Sequence, residues 1–291
     1  MQHTPKQNMQ ALLSGKFKKE IFVSDISFTG GGCINETAKV KTNAGTFFAK
    51  WNNAKRFPGM LEAEAKGLQL LKEANEIKVP DVIVQKIMDD TQYLILESIE
   101  STGRSKNFWN DFGKSLAKLH NHTSKHFGLE HDNYIGSLPQ SNRKNKKWDE
   151  FFILERLEPQ LKLARDEGRI GNSVLQRFGK LFSQLDKIFP EEKPSLLHGD
   201  LWSGNYMAGS NGEPVIIDPA VYFGHREMDL GMTKLFGGFA SGFYEAYNEE
   251  FPLENNWQER TDICNLYPLM VHVNLFEGNY AMQAESILRK F

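Results

Sequence analysis

Apolar and polar positions along this chain follow two different rhythms. Residues 22–28, 37–40, 46–50, 82–85 and 93–96 are short runs rich in β-branched and aromatic side chains, divided by turn-forming stretches at 29–35, 43–45 and 88–90. Runs of that length and punctuation predict five strands. One helix interrupts them over about 59–74, where Leu61, Ala65, Leu68 and Leu71 recur at helical spacing before Val79-Pro80. From Ser105 onward the period is helical: Phe108, Phe112, Leu116 and Leu119 form one stripe, and Val174, Phe178, Leu181, Leu185 and Ile188 another. The aromatic-rich stretch 232–291 is helical too. The expected class is α+β, with a five-stranded antiparallel sheet and one main helix in residues 1–98 and a larger, mostly helical part in 99–291.

Composition narrows this only modestly. A chain of 291 residues with 40% hydrophobic side chains suits two lobes around a cleft. The 35 basic and 37 acidic side chains leave −2, so bulk charge points to neither nucleic acid nor a membrane surface. Two cysteines, Cys33 and Cys264, cannot build a disulfide framework or a cysteine zinc site, which suggests a reducing compartment. The first residues hold no apolar signal-peptide core and no run reaches membrane-spanning length, so a cytoplasmic protein is expected.

Chemistry concentrates in residues 198–205, HGDLWSGN, followed by VIID at 215–218. His, then Asp two residues on, then Asn five beyond, then a hydrophobic strand ending in Asp is the order H-x-D-x-x-x-x-N plus metal-binding Asp of phosphoryl-transfer enzymes. Such transfer needs a base on the attacking hydroxyl and oxygen ligands for Mg²⁺. Asp200 fits the base, and Asn205 and Asp218 the metal ligands. Asn211-Gly212 predicts a two-residue hairpin turn, which would set Asn205 directly across from Asp218. The bland alternative is that Asp200 and Asn205 cap a turn and Asp218 ends a strand.

Other positions join this reading. Phe48 and Lys50 share one face of their strand, and Glu64 lies on the apolar stripe of the following helix, where a carboxylate needs a partner. A Lys50–Glu64 pair would position ATP phosphates. Gly30, Gly31, Gly32, Cys33, Ile34 and Asn35 form a turn whose backbone N–H groups could approach phosphate, although Asn35 stands where G-x-G-x-x-G needs glycine. A plain flexible hairpin is the alternative. At the end of the fifth strand, backbone groups around Glu97 and Ile99 are expected to bind adenine. His120 and His122 read as a helix cap rather than a metal pair, and 143–147 as a solvated basic loop rather than a nucleic-acid patch. Asp229 either caps the next helix or supports the catalytic loop. Only ten residues separate Asp218 from Asp229, too few for a peptide-docking activation segment, which favours a small acceptor.

GGCIN, MLEAEAKGL, WDEFFILERL, LLHGDLWSGN, IIDPAVYFGHREMDL and LYPLMVHVNLFEGNY together resemble the fructosamine kinase family, related to the aminoglycoside phosphotransferases. The likeness runs from about Ser24 to Tyr280. It implies a bilobal protein-kinase-like fold and ATP- and Mg²⁺-dependent phosphorylation of the 3-hydroxyl of ketosamines, on small amines or protein lysines, after which the adduct falls apart. Asp200 matches the base, Asn205 and Asp218 the metal ligands, Lys50 and Glu64 the phosphate-positioning pair, and 30–35 the phosphate loop. His198 and Trp202 match substrate contacts, with Trp202 either stacking on the sugar or bracing its loop. Cys33 is either an inert turn residue or an oxidisable thiol, able to link an otherwise monomeric chain through Cys33. Rival readings are a kinase of aminoglycosides, choline or homoserine, and a non-catalytic nucleotide-binding module.

Overall fold

The computed structural model describes residues 4–30 and 34–291. Gly31, Gly32 and Cys33, and with them the phosphate-loop and thiol expectations, lie outside the described residues. The chain divides into two compact units, Met1–Lys106 with Met207–Ile217, and Asn107–Tyr206 with Asp218–Phe291.

Unit 1 holds α1 (Pro5–Phe17), β1 (Val23–Phe28), β2 (Glu36–Thr42), β3 (Gly45–Asn53), α2 (Met60–Ala74), β4 (Val82–Met88) and β5 (Thr91–Glu97). The five strands form one antiparallel sheet in the order β1-β2-β3-β5-β4. Alternation along β3 sends Phe47, Ala49 and Trp51 into a core with Met9, Leu12 and Leu13 of α1, and leaves Phe48 and Lys50 for the other face.

Helix α1 is a second helix where the hydrophobic pattern predicted only one. Its start is written in Thr4-Pro5-Lys6-Gln7: the Thr4 hydroxyl accepts from the Gln7 N–H, the Gln7 side chain accepts from the Thr4 N–H, and Pro5 occupies the first turn. Met9, Leu12 and Leu13, spaced three and four apart, are what it buries. A three-residue stripe is too thin to stand out from a polar terminus. Helix α2 starts behind Gly59 and ends at Asn75, both left-handed (φ 71° and 57°).

Unit 2 begins with α3 (Phe108–His120), then β6 (Asn133–Ile135), β7 (Leu138–Gln140) and α4 (Trp148–Phe151). A π-helical turn at Phe152–Leu157 leads into α5 (Glu158–Asp166), followed by α6 (Asn172–Phe182) and α7 (Leu185–Ile188). The stripe predicted as one helix from Val174 to Ile188 is thus broken at Ser183-Gln184. After β8 (Ser195–Leu197) come β9 (Tyr206–Ala208) and β10 (Pro214–Ile216), of which the stretch Met207–Ile217 belongs to unit 1, and unit 2 resumes with β11 (Tyr222–Gly224), α8 (Glu227–Leu235), α9 (Ser241–Glu250), α10 (Trp257–Leu275) and α11 (Tyr280–Leu288). Strand β8 pairs with β11, so the chain entering and the chain leaving the 198–218 stretch are hydrogen-bonded to each other. Helix α10 is buried along most of its length in a core with Phe151, Phe152, Phe178, Leu181 and Tyr222. Among the described residues no helix is long and apolar enough to cross a membrane.

The β9–β10 hairpin corrects one expectation. The Gly209 N–H donates to the Glu213 carbonyl (2.8 Å) and the Gly212 N–H to the Gly209 carbonyl (3.0 Å). The loop is therefore the three residues Ser210, Asn211 and Gly212, with Gly212 left-handed at φ 76°, a type I turn closed by a glycine bulge. The pairing slides by one residue, and Asn205 is not directly opposite Asp218.

Candidate active site

Residues 198–205 leave β8 as an irregular loop held from beneath by one carboxylate. Asp229, in the first turn of α8 and 1% exposed, accepts from the His198 N–H (2.8 Å, Oδ2) and the Gly199 N–H (2.9 Å, Oδ1). Its Oδ2 also meets His120 Nε2 at 3.2 Å, and His120 Nδ1 meets the Tyr247 hydroxyl at 2.7 Å. Burial alone would raise the Asp229 pKa, yet the His120 hydrogen bond, the neighbouring imidazoles and the Gly199 N–H hold it below its ordinary value. Asp229 thus supports the loop, the second of its two sequence readings. His120 stands in the last turn of α3, one residue before the cap residue Asn121. It is a buried bridge between α8 and α9.

Gly199 shows why the motif needs glycine. Its φ is +83°, and a Cβ there would stand 2.0 Å from the Ala220 carbonyl oxygen. The Ala220 N–H in turn donates to the His198 carbonyl at 2.9 Å. The loop and the segment following Asp218 are thereby laminated together, and Asn133 and Gln140 donate to the Val221 and Ala220 carbonyls from behind (2.8 and 3.3 Å).

On this support Asn205 donates through Nδ2 to both the backbone carbonyl (2.8 Å) and the Oδ2 (3.0 Å) of Asp200. Asp218 follows β10 with φ 56°, a left-handed conformation that non-glycine residues seldom adopt. The Asp200 pKa is pushed up to about 7, first by burial, then by the charge of Asp218, against the opposing Asn205 hydrogen bond. Two carboxylates and an amide oxygen within mutual influence are a donor set for a hard cation such as Mg²⁺. Asn205 suits it further, because committing Nδ2 to Asp200 leaves Oδ1 as the ligand end. Among the described residues no cluster of three His, Cys, Asp or Glu side chains offers another metal site.

His198 departs from its expected role. It has no solvent exposure, and its Nδ1 accepts from the Asp200 N–H at 3.3 Å, so it fixes the loop from inside instead of facing a substrate. Trp202 is 37% exposed. One face of its ring covers Gly204, where a Cβ would come within 2.3 Å of a ring carbon, and its edge meets Phe236. It braces the loop and remains partly open.

In unit 1, Lys50 Nζ and Glu64 Oε1 are 2.7 Å apart, with 3% and 12% of the side chains exposed. The exposed Gly30 has nothing within 4 Å of where its Cβ would stand. Thr29 is joined to Thr37 by a backbone bond (3.0 Å) and a hydroxyl pair (2.9 Å), which closes the base of the turn. Ile34 and Asn35 are half-buried, and Asn35 accepts from the Asn52 amide. At the end of β5 the Glu97 N–H donates to the Asp81 carbonyl (2.8 Å), its carboxylate accepts from the Asp81 N–H (3.3 Å), and Ile99 is buried.

The sequence model of the fructosamine kinase family matches residues 5–291. A protein-ribulosamine 3-kinase of Arabidopsis thaliana is 41% identical over 272 residues, covering 91% of this chain and 82% of its own. A crystal structure described as "putative fructosamine-3-kinase" from Thermobifida fusca superposes with a TM-score of 0.88 at 31% identity, over 98% of this chain and 97% of that one. A spectinomycin phosphotransferase in complex with ADP and spectinomycin matches with a TM-score of 0.53 at 16% identity, over 100% and 95%, which extends the likeness of fold to the aminoglycoside phosphotransferases. A match along nearly the whole chain, with the HGDLWSGN loop folded as described, makes this protein a member of the fructosamine kinase family.

Proposed function

We propose that this protein is an ATP-dependent ketosamine 3-kinase. The observation that carries the reading is Asp200: a carboxylate oriented by Asn205, beside a second carboxylate, with its pKa pushed up to about 7. A carboxylate of that basicity is about half ionised at neutral pH, and its ionised form accepts a proton readily there. The sugar 3-hydroxyl oxygen attacks the γ-phosphorus, its proton passes to Asp200 Oδ2 or Oδ1, and the bond from the γ-phosphorus to the bridging oxygen breaks to release ADP. Lys50, held by Glu64, steadies the nucleotide phosphates. Asn205 and Asp218 would hold Mg²⁺, which when bound neutralises charge on the phosphates. With the Glu97 N–H committed to Asp81, the adenine contacts fall to the Glu97 carbonyl and the Ile99 amide. The acceptor is a ribulosamine or fructosamine on a small amine or a protein lysine, as the relatives' names indicate for those proteins.

The test is ATP consumption with Mg²⁺ against ribulosyl-lysine and fructosyl-lysine, with kanamycin and choline alongside. Ketosamine-dependent turnover is expected, and Asp200→Asn should lower kcat by at least about 10³-fold while nucleotide binding persists, the range of a lost general base and its local electrostatics. Turnover on kanamycin or choline alone would refute the substrate, and activity retained in Asp200→Asn would refute the base.

A further inference from the structure

Trp202 is the first ring of a longer array. Its ring meets Phe236 edge-on at 6.0 Å, Phe236 meets His272 at 5.1 Å, and His272 meets Phe276 at 5.2 Å and Tyr280 at 4.9 Å. Five rings from the catalytic loop, the end of α8, the end of α10 and the start of α11 form one continuous strip within unit 2. Phe236 and Phe276 are 40% and 41% exposed, about as open as Trp202. A contiguous run of large exposed aromatic side chains marks a binding surface.

The strip is tied to the catalytic loop at its near end. The Tyr206 hydroxyl donates to the Gly238 carbonyl at 2.9 Å, and Ser203 Cβ lies 2.6 Å from where a Gly238 Cβ would stand. The turn carrying Phe236 therefore packs directly on the loop carrying Asp200. None of the five rings adds a positive charge near neutral pH. His272 is largely buried, which lowers its pKa against the pull of the Pro268 carbonyl 2.7 Å from Nδ1, so near neutral pH it supplies a neutral ring. Lys234, the basic residue nearest Phe236 in sequence, has its ammonium over Trp257 (4.3 Å) and Tyr244 (5.3 Å). The exposed Glu277 follows Phe276.

We propose that this strip binds the amine half of the acceptor: the protonated secondary amine of a ketosamine and the methylene chain of the lysine that carries it, laid from Trp202 toward Phe276. The inference rests on the ketosamine kinase reading above and adds which part of the substrate each ring serves. A ketosamine nitrogen stays basic, so the acceptor presents a cation on an apolar chain, and aromatic faces attract such a cation by about 0.5–1 kcal/mol at exposed sites. A short, uncharged acceptor reaches no further than Trp202.

The experiment uses the full-length protein and two acceptors, a neutral peptide carrying ribulosyl-lysine and the same peptide acetylated on the ketosamine nitrogen, which removes the charge. Phe236 is the ring next to Trp202 and the one within reach of the ammonium, so Phe236→Ala should raise KM for the charged peptide about two- to fivefold, the attraction of one ring converted to a ratio. Phe236→Tyr should restore it, KM for ATP should stay at the wild-type value, and KM for the acetylated peptide should be insensitive to the change. Phe276→Ala, at the end reached by the methylene chain, should raise KM for both peptides alike. Ile87→Ala, an exposed apolar residue of unit 1, should alter neither acceptor. An unchanged KM for the charged peptide in Phe236→Ala would overturn the strip, and an equal rise for both peptides in that variant would overturn recognition of the charge. A joint fall in Tm and rise in KM for ATP would mean that Phe236 is structural, and would overturn the proposal too. Failure of wild-type protein on every ketosamine would instead remove the function on which the strip depends.

Discussion

At the scale of single residues, the carboxylates proposed to carry the reaction are ordinary and their placement is not. Asp200 acquires its character from Asn205, from Asp218 and from a loop that Asp229 holds by two backbone N–H groups. The loop tolerates no side chain at Gly199, since a methyl group there would collide with the Ala220 carbonyl in a backbone conformation that already disfavours one. Gly199→Ala should therefore cost about 3 kcal/mol of stability, read as a fall in denaturation midpoint, and should reduce turnover with it. A second residue-scale prediction concerns pH. His225 is fully buried, its Nδ1 accepts from the Glu227 N–H, and burial holds its pKa below 6.5 despite Glu227 and Glu192 nearby. Between the depressed folded value and 6.5 the unfolded chain binds the extra proton, so stability present above pH 6.5 is lost as pH falls through that window. Thermal melts should show a Tm decreasing below pH 6.5, with a smaller decrease in His225→Gln. Lys50, Glu64, Asp200, Asn205 and Asp218 were all readable as candidates because local spacing or alternation brings their chemistry together. The support from His120 and Tyr247 was not, because those partners lie 109 and 127 residues from the groups they meet and no local pattern announces them.

At the scale of elements, close approach decides more than propensity. Helices α3 and α9 meet at Gly113, where a Cβ would come within 2.2 Å of the Phe243 carbonyl oxygen and 2.9 Å of the Tyr247 nitrogen. Alanine is the better helix former by about 1 kcal/mol, yet Gly113→Ala should destabilise by about 1–3 kcal/mol because the helices must separate. A raised denaturation midpoint would refute that packing. The five strands of the sheet and the long helices were legible from period alone, as β3 and α3 illustrate. The three-residue strands β6, β7, β8 and β11 were too short to show a period, and three further features escaped it. Helix α1 depends on a capping box and three apolar residues. The β9–β10 turn adopts three residues where Asn-Gly suggested two, with Gly212 serving as the bulge. The π-helical turn at Phe152–Leu157 carries Arg156, which is fully buried and stacks over Tyr222 (4.0 Å) and Phe151 (4.6 Å), while its guanidinium reaches the Ser141 carbonyl and Asn142. A one-residue insertion in a helical turn leaves no mark in hydrophobic periodicity, so only coordinates disclose it.

At the scale of the whole molecule, unit 1 is discontinuous in sequence. Met207–Ile217 belongs to it, and its attachments are specific. The Thr102 hydroxyl donates to the Gly209 carbonyl (2.8 Å), the Ser105 N–H to the Gly212 carbonyl (3.1 Å) and the Ile216 N–H to the Lys78 carbonyl (3.0 Å), while Lys78 pairs with Glu213 at 3.1 Å. A fragment ending at Lys106 loses all of these, so that Lys78, Thr102 and Ser105 give up their bonds to the hairpin. It should melt broadly and at lower temperature than unit 1 does within the intact protein, as followed by circular dichroism; a sharp, native-like transition in the fragment would refute the dependence. The separations involved, 107 residues from Thr102 to Gly209 and 135 from Lys78 to Glu213, also bear on synthesis. A ribosome delivers the five-stranded sheet first and the hairpin only after α3 to α7 have emerged, so the earliest part of the chain to be made is among the last to be finished. Chains that stall between residues 106 and 206 would carry an incomplete first unit, and quality control acting on nascent chains has its longest opportunity there.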